Sequence, residues 1–298
     1  MRIGVDVGGT KIEAVLLDAS GRELFRKRVA TPVGDYRGTV EAIRGLVEAS
    51  ESATGVANCS VGIGAPGAIS PATGRVKNSN STCLNGQPLR EDLELVLKRP
   101  VRMENDANCF ALSEAKDGAA AGAPIVFGVI IGTGTGGGIV VNGQIVCGPN
   151  AITGEWGHNP LPWPRDDERP GAPCYCGKSG CIETFLSGPG LERSYEALSG
   201  KKGLKGHEIG ALASAGDAAA DTVLSLYEDR LARGLASIIN VLDPHVIVLG
   251  GGVSNIDRIY ERVPARLSRY IFSDAVATRI VRAKHGDSSG VRGAAYLW

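Results

Sequence analysis

The sequence has no surplus of charge of either sign: 32 lysines and arginines balance 32 aspartates and glutamates. It has no basic stripe of the kind that neutralises a phosphate backbone, so nucleic acid is not expected as a partner. An export signal is missing too, because the opening MRIGVDVGGTK meets an acid at residue 6 before any apolar core has formed. The longest stretch without charge, Gly118 to Gly154, is interrupted by GTGTGGG, and glycines break the apolar surface that a membrane-spanning helix needs. That stretch reads as buried strands around a glycine loop, and no membrane partner is expected. Seven cysteines are an odd number in a chain without an export signal, which argues against a disulfide framework and for a reducing cytoplasm.

What is present is enough apolar material for a large core: 43% of the 298 residues are hydrophobic and 21% charged. The length calls for two domains or one bilobal unit. Forty-two glycines, about twice the usual share, cluster in short motifs rather than in a collagen-like period. Residues 2–7 and 12–18 are β-branched runs separated by GGTK, and a more polar run at 22–30 completes a meander. Val40, Ile43, Leu46 and Val47 fall at helical spacing, and SVGIGAPG at 60–67 is strand-like, so the order begins βββαβ. Further on, 89–97 reads as a helix, 101–104 as a strand, 107–121 as a small-residue helix, and 125–131 with 138–141 as a hairpin around the glycine loop. The two halves echo each other as a weak repeat of strand, glycine turn and strand. Five prolines between Asn159 and Pro173 mark an exposed, irregular excursion. A long helix is expected from about Asp221 to Leu242, stopped by Asp243-Pro244, then a buried strand in HVIVLGGGVSN and a small-residue helix in SSGVRGAAYLW.

Five constellations carry chemistry. Asp6-Val7-Gly8-Gly9-Thr10-Lys11 puts backbone N–H groups, a hydroxyl and a carboxylate where phosphate and magnesium could be held, although Gly-Gly is also an ordinary hairpin turn. It is neither a Walker A sequence nor GxGxxG. Gly132-Thr133-Gly134-Thr135-Gly136-Gly137-Gly138 is a second glycine loop in the corresponding place of the second half, and two such loops suit a polyphosphate. Gly250-Gly251-Gly252 ends a buried strand, where it either accepts a nucleoside or packs strand on helix. His158 with Cys174, Cys176 and Cys181 supplies the imidazole and thiolates of a closed tetrahedral zinc site, the alternative being buried inert thiols. Asn105, Asp106, Glu155, His158 and Glu183 are dispersed polar groups of the kind a polyol needs, while Asn-Asp alone is also a common helix cap. Cys59, Cys83, Cys109 and Cys147 are expected as small core residues.

Taken together, DVGGTK at 6–11, GAPG at 64–67, NDAN at 105–108, IGTGTGGGI at 131–139, GEWGH at 154–158, CYCGKSGCIE at 174–183 and LGGGVSN at 249–255 closely resemble the ROK family (repressor, open reading frame, kinase) of the actin-like ATPase and sugar kinase superfamily. Within it, KNSNSTCLNGQPL at 77–89, GEWGHNPLPWP and HGDSSGVRGAAYLW look most like bacterial fructokinases of the mannose- and fructose-phosphorylating kind. The resemblance implies an α/β, two-lobed actin-like ATPase (ribonuclease H-like) fold with an interlobe cleft, one lobe formed by 1–117 with about 286–298 and the other by 118–285. It implies ATP, Mg2+ and Zn2+ as cofactors, a hexose as substrate, a homodimer and a cytoplasmic location.

By position the resemblance makes Asp106 the base facing the acceptor hydroxyl. Asn105, Glu155, His158 and Glu183, with Gly67 and Asn80, then bind sugar. Asp6, Gly8, Gly9, Thr10 and Lys11, with Gly132, Thr133 and Gly134, meet the phosphates and magnesium, and Gly251 and Gly252 the adenosine. His158 has a second task as zinc ligand with the three cysteines, across a gap to Cys174 that is longer than the family's tighter spacing. The expected reaction is phosphorylation of the 6-hydroxyl of D-fructose, and of mannose. Glucokinase and N-acetylglucosamine kinase are the alternatives. A sugar-sensing regulator of the same family is disfavoured because the first strand starts at residue 2, with no DNA-binding domain before it.

Overall fold

A computed structural model covers residues 1–298 and describes all of them apart from the Asp287 side chain. Arg2–Val7 (β1), Lys11–Leu17 (β2) and Glu23–Ala30 (β3) form the expected antiparallel meander. The first two strands bury almost every apolar residue, while β3 lies at the edge of its sheet and is largely exposed, as its polar run requires. Tyr36–Thr54 (α1) is capped by Asp35, whose carboxylate accepts from the Gly38 N–H, and is ended by Gly55 in the left-handed region. Its buried face is Val40, Ile43, Leu46 and Val47.

Ser60–Ala65 (β4) pairs in parallel with β1. Ala68–Ile69 (β5) and Val76–Lys77 (β6) make a small separate hairpin that periodicity did not announce. Leu89–Leu97 (α2), Val101–Asn105 (β7) and Asp106–Lys116 (α3) follow. Helix α3 stops five residues short of the expected Ala121. There the Glu114 carboxylate takes the Ala119 N–H at 2.8 Å, turning the chain out of the helix.

In the second half come Ile125–Ile131 (β8), Thr135–Val141 (β9), Gln144–Ile145 (β10), Ile182–Leu186 (α4), Gly188–Ser199 (α5) and Gly206–Ser214 (α6). Ala218–Leu242 (α7) begins three residues earlier than expected, because Asp217 caps it by accepting from the Ala220 N–H. Val246–Gly250 (β11), Ile259–Arg262 (α8), Pro264–Leu267 (α9), Arg279–Arg282 (β12) and Ser289–Ala295 (α10) complete the chain. The larger sheets run β3-β2-β1-β4-β7 and β10-β9-β8-β11-β12. The same order occurs twice, with β1, β4, β7 parallel in one and β8, β11, β12 parallel in the other. What sequence offered as a weak repeat is a repeat of topology.

The chain divides into two compact units: residues 1–122 with 138–153 and 287–298, and residues 123–137 with 154–286. The first has its core around Ile3, Val5, Ile43, Val61, Ile63 and Leu93. In the second, Phe127, Val129, Leu231, Leu235, Ile247 and Val248 are fully buried. Among the described residues no helix is long and apolar enough to cross a membrane.

One expectation about the cysteines needs correction, and one about the excursion is extended. Cys59 and Cys109 are buried and Cys83 is half-buried, but Cys147 is exposed, its Sγ donating to Glu104 Oε1 at 3.2 Å. It lies just beyond the two-residue strand β10, where the chain leaves the sheet at Gly148-Pro149 and no apolar layer covers it. The proline-rich excursion is irregular, yet it is pinned through a buried carboxylate. Glu168 accepts from Arg230 Nε at 2.8 Å and from two nitrogens of Arg233, each at 2.8 Å. Burial alone would raise the Glu168 carboxyl, but the Arg233 and Arg230 guanidiniums hold it at about 2.

Candidate active site and metal centre

In the first unit, strand β1 carries Asp6 to its end, opposite Glu13 on β2 and beside Gly64 on β4. The turn after it is closed by the Gly8 N–H donating to the Lys11 carbonyl at 3.0 Å, leaving Gly9 and Thr10 at an exposed tip. Thr31 fastens the turn from below, its hydroxyl donating to the Gly8 carbonyl at 2.7 Å. Strand β7 ends at Asn105, which does cap α3: its amide oxygen accepts from the Ala107 N–H at 2.9 Å, and its amide nitrogen donates to the Gly67 carbonyl at 3.0 Å. Asp106 follows as the first residue of α3 and also accepts from the Ala107 N–H. The cap reading of Asn105 therefore holds, with Asp106 in the first turn of the helix that it caps. Asn80 is exposed, in a loop organised by Asn85, which accepts from the Ser79 N–H and donates to the Ser79 carbonyl.

Burial, then the charges of Asp106 and Glu13, push the Asp6 carboxyl up from 3.8 to about 7 against the pull of Lys11 and Arg28. Carboxylates gathered in this way beside a glycine turn suit a hard divalent cation, which would supply the missing positive charge.

The second unit holds a different cluster. The glycine loop is shorter than its sequence suggested, because Thr135 already belongs to β9 and only Gly132, Thr133 and Gly134 form the turn. Gly137 is explained by packing: a β-carbon there would come within 3.0 Å of both the Phe127 ring and Trp156. Glu183 braces the turn, accepting from the Thr135 N–H at 2.9 Å. Trp156 donates its indole N–H to the Gly136 carbonyl at 3.0 Å, which fixes GEWGH, and with it Glu155 and His158, against β9. At the end of β11, Gly251 has a positive φ of 84°, and a β-carbon there would lie 2.5 Å from the Ile131 carbonyl oxygen. Its neighbour Gly252 faces open space. Gly252 presents the bare surface that a nucleoside would need, while Gly251, also exposed, is required by the backbone.

The long gap between His158 and Cys174 is closed by main-chain bonds. Leu161 N–H donates to the Gly180 carbonyl and Ile182 N–H to the Asn159 carbonyl, so the excursion leaves and returns at one place. His158 Nδ1 then lies 3.6 Å from Cys174 Sγ, and Cys176 Sγ 3.6 Å from Cys181 Sγ. All four ligand atoms fall within 4.8 Å of one another. Tetrahedral zinc with sulfur at about 2.3 Å has ligand-to-ligand edges of about 3.8 Å, so the donor set and its spacing fit that metal. The Lys178 backbone N–H holds the Cys176 thiol down at about 7, whereas burial pushes Cys181 up to about 12.

One residue in this cluster was not singled out from sequence. Tyr175, between two of the cysteines, puts its hydroxyl 2.9 Å from His158 Nε2. Its place inside the CYC motif was the available signal.

Two repeats of this sheet order carry a carboxylate beside a glycine turn in the first unit and a thiol–imidazole cluster in the second. The sequence pattern of the ROK family matches residues 2–298. Two N-acetyl-D-glucosamine kinases are similar over the whole of this chain: one from Yersinia pseudotuberculosis at 44% identity, covering 98% of its own length, and one from Vibrio cholerae at 45%, covering 99%. The ROK hexokinase of Thermus thermophilus superposes with a TM-score of 0.88 at 34% identity, over 99% of this chain and 98% of its own. The ROK glucokinase of Streptomyces griseus, solved in complex with glucose and AMPPNP, gives 0.80 at 30% identity over the same shares. This chain belongs to the ROK family, with the α/β actin-like ATPase fold, and is an ATP-dependent sugar kinase.

Proposed function

We propose that this kinase transfers the γ-phosphate of ATP to the 6-hydroxyl of a hexose, D-fructose first and mannose second. Asp106 takes the proton of the attacking hydroxyl, and Asn105, Glu155, His158 and Glu183, with Gly67 and Asn80, hold the sugar. Asp6 holds magnesium, the Gly8–Lys11 and Gly132–Gly134 turns meet the phosphates, and Gly252, beside Gly251, meets the adenosine. Magnesium, when bound with ATP, neutralises phosphate charge as the transition state loosens. The observation that supports this reading is that Asp6, beside a glycine turn, has its carboxyl pushed up by burial and then by the charge of Asp106 in the same unit. Phosphoryl transfer is mainly positioning and charge neutralisation, so a cation-binding carboxylate and a separate base are what it requires.

Fructose is supported by the resemblance of residues 77–89 to the fructokinase loop. A second reading, N-acetylglucosamine, is supported by the 44–45% identity to kinases of that name. The test is kcat/KM with ATP for fructose, mannose, glucose and N-acetylglucosamine. Preference for fructose is expected, and preference for N-acetylglucosamine or glucose would overturn the fructose reading while leaving the kinase intact.

Zinc belongs on His158, Cys174, Cys176 and Cys181, where it would hold Glu155 and His158 in place through the main chain they share. Elemental analysis is expected to find one zinc per chain, and active protein free of zinc would refute the assignment. A homodimer in the cytoplasm completes the reading.

A further inference from the structure

The corner that presents Asn105 and Asp106 is where β7 ends and α3 begins, and a side chain outside the chemistry-bearing motifs of the sequence spans it. Glu104 Oε2 accepts from the Asn105 backbone N–H at 3.0 Å and from the Asn108 side-chain amide at 2.8 Å. One oxygen thus joins the last N–H of the strand to the first turn of the helix. The other, Oε1, accepts from Cys147 Sγ at 3.2 Å, in the segment that follows β10. Strand β7 lies at the edge of its sheet, so no further strand beyond it steadies its end. Asn108 is buried, and Gly138 of β9 stands so close that a β-carbon there would lie 2.9 Å from Asn108 Oδ1, which leaves the amide little freedom to turn away from Glu104. Asn105 itself bonds through its side chain to the Gly67 carbonyl and the Ala107 N–H. Those two bonds fix that side chain. The Glu104 bridge ties the main chain at Asn105 to Asn108, and Asp106 lies between the two bridged residues.

We infer that Glu104 is a positioning residue for phosphoryl transfer, whose carboxylate bridge holds the strand-to-helix corner and so sets the direction of the Asp106 carboxylate towards the acceptor hydroxyl. This rests on the role of base proposed for Asp106. A base must be within hydrogen-bond reach of the proton that it takes, and a displacement of about 1 Å is enough to cost about a hundredfold in rate. A small rotation of the corner therefore costs turnover well before it costs the fold.

The test is a double-mutant cycle of Glu104→Ala with Asp106→Asn, read as kcat and as KM for sugar and ATP, with Glu104→Gln as the conservative variant and Tm as the control for folding. Glu104→Ala is expected to lower kcat about thirtyfold, with KM for ATP within about twofold of the parent. Glu104→Gln is expected to recover most of that loss, because its amide oxygen can accept from Asn105 and Asn108 as Oε2 does. In the Asp106→Asn background, Glu104→Ala is expected to cost less than about threefold more, since a residue that acts through Asp106 then has no base left to aim. Equal losses in both backgrounds would overturn the inference while leaving Asp106 as the base. So would a Glu104→Ala enzyme with kcat within about threefold of the parent. A Glu104→Gln enzyme as slow as Glu104→Ala would make the charge rather than the bridge the cause, and that too would overturn it. Parent-like turnover in Asp106→Asn would overturn the base reading and this inference with it. If Glu104→Ala does not fold, Glu104→Asp, one methylene too short to reach Asn108, enters the same cycle with the same outcomes.

Discussion

The two glycine turns, Gly8–Lys11 in the first unit and Gly132–Gly134 in the second, follow equivalent strands of the repeated sheet order, yet their electrostatics differ. The first lies at the end of a strand bearing Asp6, whose neighbours Asp106 and Glu13 add negative charge and keep its carboxyl near 7. Beside the second, the Glu183 carboxylate already has a partner in the Thr135 N–H. Deeper in that unit Glu168 is matched by two arginines. Around the first turn Glu13 is paired with Arg26 and Arg28, yet the Asp6 carboxyl beside it is still pushed up, whereas Glu168 in the other unit is held down by its arginines. Similar motifs at equivalent positions need not do the same work: what surrounds the turn decides whether it awaits an ion.

The sharpest way to break this comparison is to remove charge from the first unit. Asp106→Asn is expected to lower kcat by about a thousandfold while sugar affinity stays within about tenfold, because the amide keeps hydrogen bonds but cannot take a proton. Turnover within a few-fold of the parent, measured on folded protein, would remove Asp106 from the base's role.

Next in size is Glu168→Gln in the second unit. It takes away the buried carboxylate that Arg230 and Arg233 share, leaving Arg233, only 2% exposed, with Asp229 at 3.1 Å as counter-charge, and is expected to cost about 3 kcal/mol in chemical denaturation. A loss below 1 kcal/mol would show that the pin is dispensable. The same carboxyl gives a pH signature. Its folded value of about 2 lies below the ordinary 4.5, so its contribution is present above pH 4.5 and is lost as the pH falls towards 2. The Gln variant should lose that part of the acid sensitivity.

A paired substitution separates packing from ligand contact at the end of β11. Gly251→Ala, with its positive φ and the Ile131 carbonyl in the way, is expected to destabilise by about 2 kcal/mol. Gly252→Ala should leave stability within about 0.5 kcal/mol and raise KM for ATP. If both behave alike, the nucleoside reading of Gly252 fails.

The smallest effect is a pH dependence centred on Asp6. Its folded value of about 7 exceeds 3.8, so the folded state holds its proton more tightly. Without metal, the stability this provides is complete below pH 4 and is lost as the pH rises through 7. Mg2+ must displace that proton, so its affinity should weaken below pH 7. Thermal melts at pH 5 and pH 8, with and without Mg2+, are expected to show Mg2+ stabilising more at pH 8, a difference that Asp6→Asn should erase.

Periodicity made most of the fold legible before any coordinates. The meander, α1, α2, α7 and the buried strand before the glycine triplet follow from apolar spacing alone. The misplaced ends have local causes: Glu114 turning the chain after α3, Asp217 starting α7 early, and Thr135 joining β9 rather than the loop. These are side-chain captures of single N–H groups and strand pairings, which periodicity does not encode.

By itself, the sequence determined the element order, the residue types able to hold phosphate, metal and sugar, and the family, because each is written in contiguous motifs. The tertiary structure alone decided which glycines serve packing and which face open space, that the excursion from Asn159 to Pro173 is held by Glu168, that Cys147 is exposed, and that Tyr175 reaches His158. These depend on groups brought together from distant parts of the chain. Their distances and burial arise from packing and charge pairing in three dimensions, for which one-dimensional spacing carries no signal.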